Sequence, residues 1–231
     1  MKNVRVFYKK KSRMKFISHL DMNRFMTRML RRTNIPIWYT EGFNTHAYIT
    51  FALPLSLGFE SEYEIMDFKV IDDEYCFDQV VTELKAVMPE YIEVISAAEP
   101  VLKVGKVAFA EFKIVFEDNT AVADALREFL KQDEILSVKT NKKGVQKTVN
   151  IAEKLNKWQV SVQKTANITE NAEERQVTET GNTVLTVTLP AGAENINPVL
   201  LLNAFEEVNG KLPYYSIMRT KILDENMHLF K

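Results

Sequence analysis

The chain has one cysteine, three histidines and two tryptophans among 231 residues, with only seven glycines and seven prolines. A single cysteine, Cys76, excludes an internal disulfide and fits a reducing, cytoplasmic setting. So few Gly and Pro exclude collagen-like and Pro/Gly-rich disordered chains. No run approaches 18 uninterrupted apolar residues, so no transmembrane helix and no membrane partner are expected. The opening stretch MKNVRVFYKKKSRMKF is charged and has no apolar core, so it does not read as a signal peptide. There is no GxGxxG, Walker A or GxSxG pattern, which leaves nucleotide-dependent and serine-hydrolase chemistry without support.

What is present is segregated charge. Residues 1–33 carry eleven Lys/Arg against one acid, Asp21. Residues 41–100 carry thirteen Asp/Glu against two Lys, and residues 101–231 balance at 17 of each. Such asymmetry points either to a polyanion-binding surface or to an acidic segment folding back on a basic one.

Residues 3–10 alternate and are rich in β-formers, so they predict a strand. Ser18 and Asp21 form a capping box that opens a helix, with Leu20, Phe25, Met26, Met29 and Leu30 as its apolar face. Pro36 ends it near Thr33. Extended segments follow at 35–40, 47–53 and 62–70, then a helix over 74–88 and a strand over 91–97. The order is β-α-β-β-α-β, the ferredoxin-like pattern. Strands over 107–116, 135–140, 182–189 and 214–223, with helices over 119–132 and from Asn197-Pro198 to Gly210, repeat it. The expected fold class is therefore α+β: two tandem ferredoxin-like modules with antiparallel sheets and helices on one face. The modules divide as 1–100 and 101–231, the second with a long polar insertion at 140–181. Within the insertion, 149–162 reads as a short helix and a strand, and 165–181 as an exposed, mobile hairpin or loop.

The first 70 residues carry the most distinctive pattern. Lys15-Phe16-Ile17-Ser18-His19-Leu20-Asp21 is followed by Arg24 and by Arg31-Arg32. Next come Tyr39-Thr40-Glu41-Gly42-Phe43-Asn44-Thr45-His46, then Phe51-Ala52-Leu53-Pro54-Leu55, Gly58 and Glu60-Ser61-Glu62-Tyr63-Glu64. This order resembles the radical SAM-linked protein family, a domain of unknown function. In that family the domain occurs alone or as the C-terminal part of radical SAM proteins with cobalamin-type domains, often encoded beside an RNase E/G-type ribonuclease. Thr45 and Ala47 stand where the family usually has prolines. The match covers the first hundred residues; the second half agrees only in layout. The resemblance implies a radical SAM enzyme or an RNA-processing system as partner. A radical SAM enzyme itself needs three closely spaced Cys thiolates for its cluster, and this chain has one. No cofactor is expected.

Arg24, Arg28, Arg31 and Arg32 fall at i, i+4, i+7 and i+8, one side of a helix. Lys9, Lys10, Lys11, Arg13 and Lys15 precede it. Together they read as a nucleic-acid backbone track, against the plainer reading of a solvated, locally paired face. Tyr8, Trp38, Tyr39, Phe43 and Tyr48 offer stacking surfaces for unpaired bases. His19 and His46, with Asp21, Glu62 and the neighbouring carboxylates of 60–67, are the candidate catalytic or metal-ligating set. Glu60, Glu62 and Glu64 alternate onto one strand face and can converge. The motif loop Gly42-Phe43-Asn44 lies between. Against this, the plainer and favoured reading makes His19 a helix-start packing residue and His46 a hydrogen-bonder to a loop carbonyl. The spacing matches no metal motif, so no metal is assigned. Cys76 reads as a small buried hydrophobe. Lys139, Lys142, Lys143 and Lys147 around Gly144 make a second basic loop.

The function expected is a non-catalytic RNA-binding or accessory module working with a radical SAM enzyme or RNA-processing system. The alternatives are an RNA-acting enzyme built on His19 and His46, and an adaptor that docks a radical SAM partner.

Overall fold

The computed structural model describes residues 1–140, 144, 146–171 and 174–231. The elements run β1 (Lys2–Lys10), α1 (His19–Leu30), β2 (Ile49–Phe51), β3 (Glu60–Val70), α2 (Phe77–Val87), β4 (Ile92–Ala98), β5 (Phe109–Phe116), α3 (Val122–Leu130), β6 (Leu136–Thr140), β7 (Gln146–Asn150), β8 (Lys157–Asn171), β9 (Glu174–Pro190), α4 (Pro198–Asn209) and β10 (Tyr215–Leu223). The chain is a mixed α+β protein with mostly antiparallel pairing. Two compact units divide it. Unit 1 is Met1–Ala110, Ala191–Ala193 and Met218–Lys231; unit 2 is Glu111–Pro190 and Glu194–Ile217. Among the described residues no helix is long and apolar enough to cross a membrane.

In unit 1, β1 is the central strand and pairs antiparallel with both β3 and β4. β2 pairs antiparallel with β3, and the end of β10 pairs parallel with β3 through Met218–Glu60 and Arg219–Ser61. Alternation decides which face is which. Val4, Val6, Tyr8, Met66, Phe68 and Val70 face one way and pack with Met22, Met26, Leu30, Val80 and Leu84 of α1 and α2. Arg5, Phe7, Tyr63 and Asp67 face the other way, where Phe230 of the C-terminal segment lies 5.0 Å from the Arg5 guanidinium.

Ser18 caps α1 as expected, accepting from the Asp21 N–H at 3.2 Å. The buried stripe is Met22, Met26 and Leu30, an i, i+4, i+8 row, whereas Leu20 is 61% exposed. Two residues on from the cap, Leu20 points into solvent, so the apolar face is narrower than hydrophobicity alone suggests. Cys76 is exposed rather than buried. It occupies the N-cap of α2, where its side chain and that of Gln79 cap each other's backbone N–H.

In unit 2, β5 lies beside β9 and β9 beside β8. β8 and β9 pair antiparallel over fifteen positions from Lys157–Thr188 to Asn171–Glu174, so of the two readings of 165–181, hairpin or loop, the strand pairing agrees with the hairpin. β6, expected as the strand following α3 in the sheet, instead pairs with β7 in a separate two-stranded sheet. The longer β8 takes its place beside β9, because fifteen ladder positions offer more backbone pairing than five. Residues 149–162 hold the end of β7, a short 3₁₀ turn at Ala152–Lys154 and the start of β8. Asn197 caps α4 through Val199 N–H at 3.0 Å, and Gly210 ends it at φ +85°. Lys142 and Lys143 of the second basic loop lie outside the described residues; Lys139 donates to the Asn195 carbonyl at 2.7 Å.

Candidate functional site

The basic stretch before α1 meets carboxylates from β3 and β4. Lys9 Nζ lies 3.0 Å from Glu93 and 3.5 Å from Glu62. Lys11 Nζ lies 3.3 Å from Glu93 and 3.8 Å from Glu62. Lys15 sits 3.7 Å from Glu60, whose carboxylate also accepts the Ser12 N–H at 3.0 Å. The hydrogen bond from Lys9 holds Glu93 below the usual carboxylate range, and Lys9 is raised in return. The acidic segment has thus folded back on this part of the basic one.

Lys10 goes the opposite way. It is 3% exposed and donates to the Ile17 carbonyl at 3.0 Å, and burial pulls its pKa down. Beside it is a buried ion pair. Arg219 Nε donates to Glu64 Oε1 at 2.9 Å and Nη2 to Oε2 at 2.6 Å. The rest of the fork is spent on the Leu53 and Pro54 carbonyls at 2.9 and 3.1 Å. Tyr8, Lys10, His19 and Glu64 share the wall of a cavity of about 10 Å³, room for one water. His19 stands edge-on to Phe51, ring centres 5.2 Å apart. Burial lowers its pKa; Lys10 and Arg219 add to that, and Glu64 opposes it. Burial likewise raises Tyr8 well above the usual phenol value.

Glu60, Glu62 and Glu64 part company: they go to Lys15, to Lys9 and Lys11, and to Arg219 respectively. His46 closes its own loop. Its Nδ1 lies 2.9 Å from the Asn44 carbonyl and 3.2 Å from Thr40 Oγ1, and its N–H donates to Thr40 Oγ1 at 3.2 Å. Gly42 turns that loop at φ +120°, and Phe43 stands fully exposed at its tip. Asp21 caps α1 with Ser18 and pairs with Arg24 at 3.2 Å; the Ser18 hydroxyl is the main cause of its lowered pKa. Among the described residues, no three His, Cys, Asp or Glu side chains group as a metal site.

The arginines at the end of α1 are arranged differently. Arg28, Arg31 and Arg32 are exposed, and none makes an ion pair among the described residues. Arg13 is the same. The acid adjoining that end, Glu83, is occupied by Asn34, accepting its N–H at 3.0 Å and its Nδ2 at 3.2 Å. These bonds hold Glu83 low, the backbone one most. The C-terminal end of a helix also favours cations, so these arginines are stable there without a carboxylate.

Arg5 and Arg219 escaped the sequence reading. Both sit inside strands among apolar neighbours, and that placement is the one signal that marked them. Arg5 is fully buried and holds Asp67 in a two-point pair at 2.8 and 2.6 Å.

Residues 3–187 match the family described as an uncharacterized protein conserved in bacteria, DUF2344. The chain belongs to that family. No curated protein matches the sequence of this DUF2344 member. Among solved structures, a chain of the Cbf5-Nop10-Gar1 complex aligns at 10% identity with a TM-score of 0.44, over 94% of this chain and 48% of that one. This chain thus spans about half the length of that chain. The CRISPR endoribonuclease Cse3 bound to a 19-nucleotide RNA aligns at 13% identity with a TM-score of 0.22, over 94% of this chain and 99% of that one.

Proposed function

We propose that this DUF2344 protein is a non-catalytic RNA-binding accessory module, and that Arg28, Arg31 and Arg32 at the end of α1 carry its contact with the RNA backbone. The supporting observation is the contrast in partners. Lys9, Lys11, Lys15 and Arg24 each have a carboxylate within ion-pair distance, and these three arginines have none among the described residues. Exposed guanidiniums suit phosphate oxygens, which they grip with two parallel N–H donors. We read units 1 and 2 as ferredoxin-like modules, the first with β4-β1-β3-β2 order and the second with β6 and β7 inserted. The resemblance to radical SAM-linked proteins supplies the partner class, a radical SAM enzyme or an RNA-processing system.

The test is fluorescence anisotropy with total cellular RNA at two salt concentrations. The wild type is compared with an Arg28→Ala/Arg31→Ala/Arg32→Ala variant whose fold is checked by circular dichroism. Salt-sensitive binding lost in the variant supports the proposal. Binding unchanged in the variant, or RNA cleavage lost on His19→Ala, sinks it.

A further inference from the structure

Unit 1 holds a cavity of about 590 Å³ on the sheet face opposite α1 and α2, within the range of small-ligand sites. The strand register builds its floor. Asn3 of β1 lies across from Lys69 of β3, and Asp67 of β3 lies between Arg5 of β1 and Thr50 of β2. Tyr48 forms one side, half-exposed, with its ring 6.0 Å from that of Trp38. The segment Pro100–Val104, which includes Lys103, forms the other.

The chemistry of this wall is specific. Arg5 and Asp67 cancel each other's charge. Lys69 and Lys103 have no carboxylate within ion-pair distance among the described residues; Lys69 Nζ stands 5.4 Å from the centre of the Trp38 ring. The cavity is therefore net cationic, with an aromatic side. Asp67 is 21% exposed, and each of its oxygens accepts one Arg5 N–H. A carboxylate offers about four acceptor positions, so two remain for donors from the cavity. Asp67 repels an anion and accepts hydroxyl groups. Arg5 adds one further observation: its buried Nη1 has no partner, and buried donors without partners are rare in folded proteins.

We infer that this cavity binds a ribonucleoside monophosphate unit, either a free nucleotide or one residue of an RNA strand. Its base lies against Tyr48, its ribose hydroxyls donate to Asp67, and its phosphate meets Lys69 and Lys103. Stacking on an aromatic side chain tolerates any base, because every base has a π-face. Carboxylates commonly receive ribose hydroxyls in nucleotide sites. The inference does not rest on the arginines of α1.

Calorimetric titrations of the full chain with AMP, dAMP, adenosine, inorganic phosphate and a 12-nucleotide RNA test it. AMP is expected to saturate below about 1 mM. Loss of one hydroxyl bond makes dAMP roughly tenfold weaker, and adenosine and phosphate alone are weaker again. Tyr48→Ala and Lys69→Ala/Lys103→Ala each weaken AMP at least fivefold. Thr50→Trp, which puts an indole on the cavity floor beside Asp67, abolishes binding. These positions are exposed or half-buried, and a thermal melt confirms that each variant folds. If AMP fails but the RNA binds and Tyr48→Ala weakens it, the site takes a residue of a strand. If neither AMP nor RNA responds to Tyr48→Ala and Thr50→Trp, the inference is overturned. The Arg28/Arg31/Arg32 variant keeps AMP binding, so failure of the α1 proposal is seen separately.

Discussion

The two ends of the basic N-terminal segment contrast sharply. Before α1, Lys9, Lys11 and Lys15 are matched by Glu93, Glu62 and Glu60. At its C-terminal end, Arg28, Arg31 and Arg32 are matched by no carboxylate among the described residues, since Glu83 is taken by Asn34. A third group, Arg5 and Arg219, is buried with one carboxylate each. Net charge per segment therefore says little about binding; the location of each carboxylate decides which cations are left for a polyanion.

Removing one member of a buried pair is the strongest way to break this division. Glu64→Ala leaves Arg219 charged and unpaired inside unit 1, and should lower stability by about 3–5 kcal/mol in urea unfolding. A Glu64→Leu/Arg219→Met double variant should lose far less. Equal losses in the two would show that the pair is not what holds the region. Next in size is the effect of the α1 arginines, which appears in binding and not in stability. Arg28→Ala/Arg31→Ala/Arg32→Ala should flatten the log–log salt dependence of RNA binding by about 2 if three phosphates are contacted. An unchanged slope removes the contrast between the two ends of the segment.

A smaller effect is expected at alkaline pH. Tyr63 donates its hydroxyl to the Phe230 carbonyl at 2.8 Å, and burial raises its pKa to about 12. A raised phenol pKa means that the unfolded chain loses its proton first. The contribution to stability is fully present below about pH 10 and is lost as pH rises toward about 12. Tyr63→Phe should flatten alkaline unfolding across that window when followed by circular dichroism. The smallest effect sharpens the comparison directly. Glu93→Gln leaves Lys9 and Lys11 to share Glu62 alone at a largely exposed site, so the melting temperature should hardly move. RNA affinity should rise slightly, with a steeper salt slope. A fall in affinity would mean that Glu93 itself belongs to the contact surface.

Much of the local structure was legible. Ser18, Asn197-Pro198 and Gly210 set helix ends because capping depends on neighbours two to four residues away. Strands β1, β3 and β10 showed their β-formers, and the β-α-β-β-α-β order of the first hundred residues followed. The site was less legible. Alternation places Glu60, Glu62 and Glu64 on one face of a strand but does not say that three different cations meet them. His46 lay in a motif, yet its ring is spent on the Asn44 carbonyl and Thr40. Leu20 looked like core and Cys76 like a small buried hydrophobe, but helix orientation put both at the surface.

The sequence by itself determined the mixed α+β class, the helix caps and the presence of a strongly basic segment beside an acidic one. These depend on local propensity, short-range hydrogen bonds and composition. Tertiary structure alone decided that β8 rather than β6 lies beside β9, that Arg219 reaches Glu64 across 155 positions of chain, and that Arg28, Arg31 and Arg32 at the end of α1 are left without carboxylates among the described residues. Those outcomes are pairings between distant segments, and partner choice there depends on which groups the fold brings within a few ångströms of each other in a medium where an unpaired charge is costly.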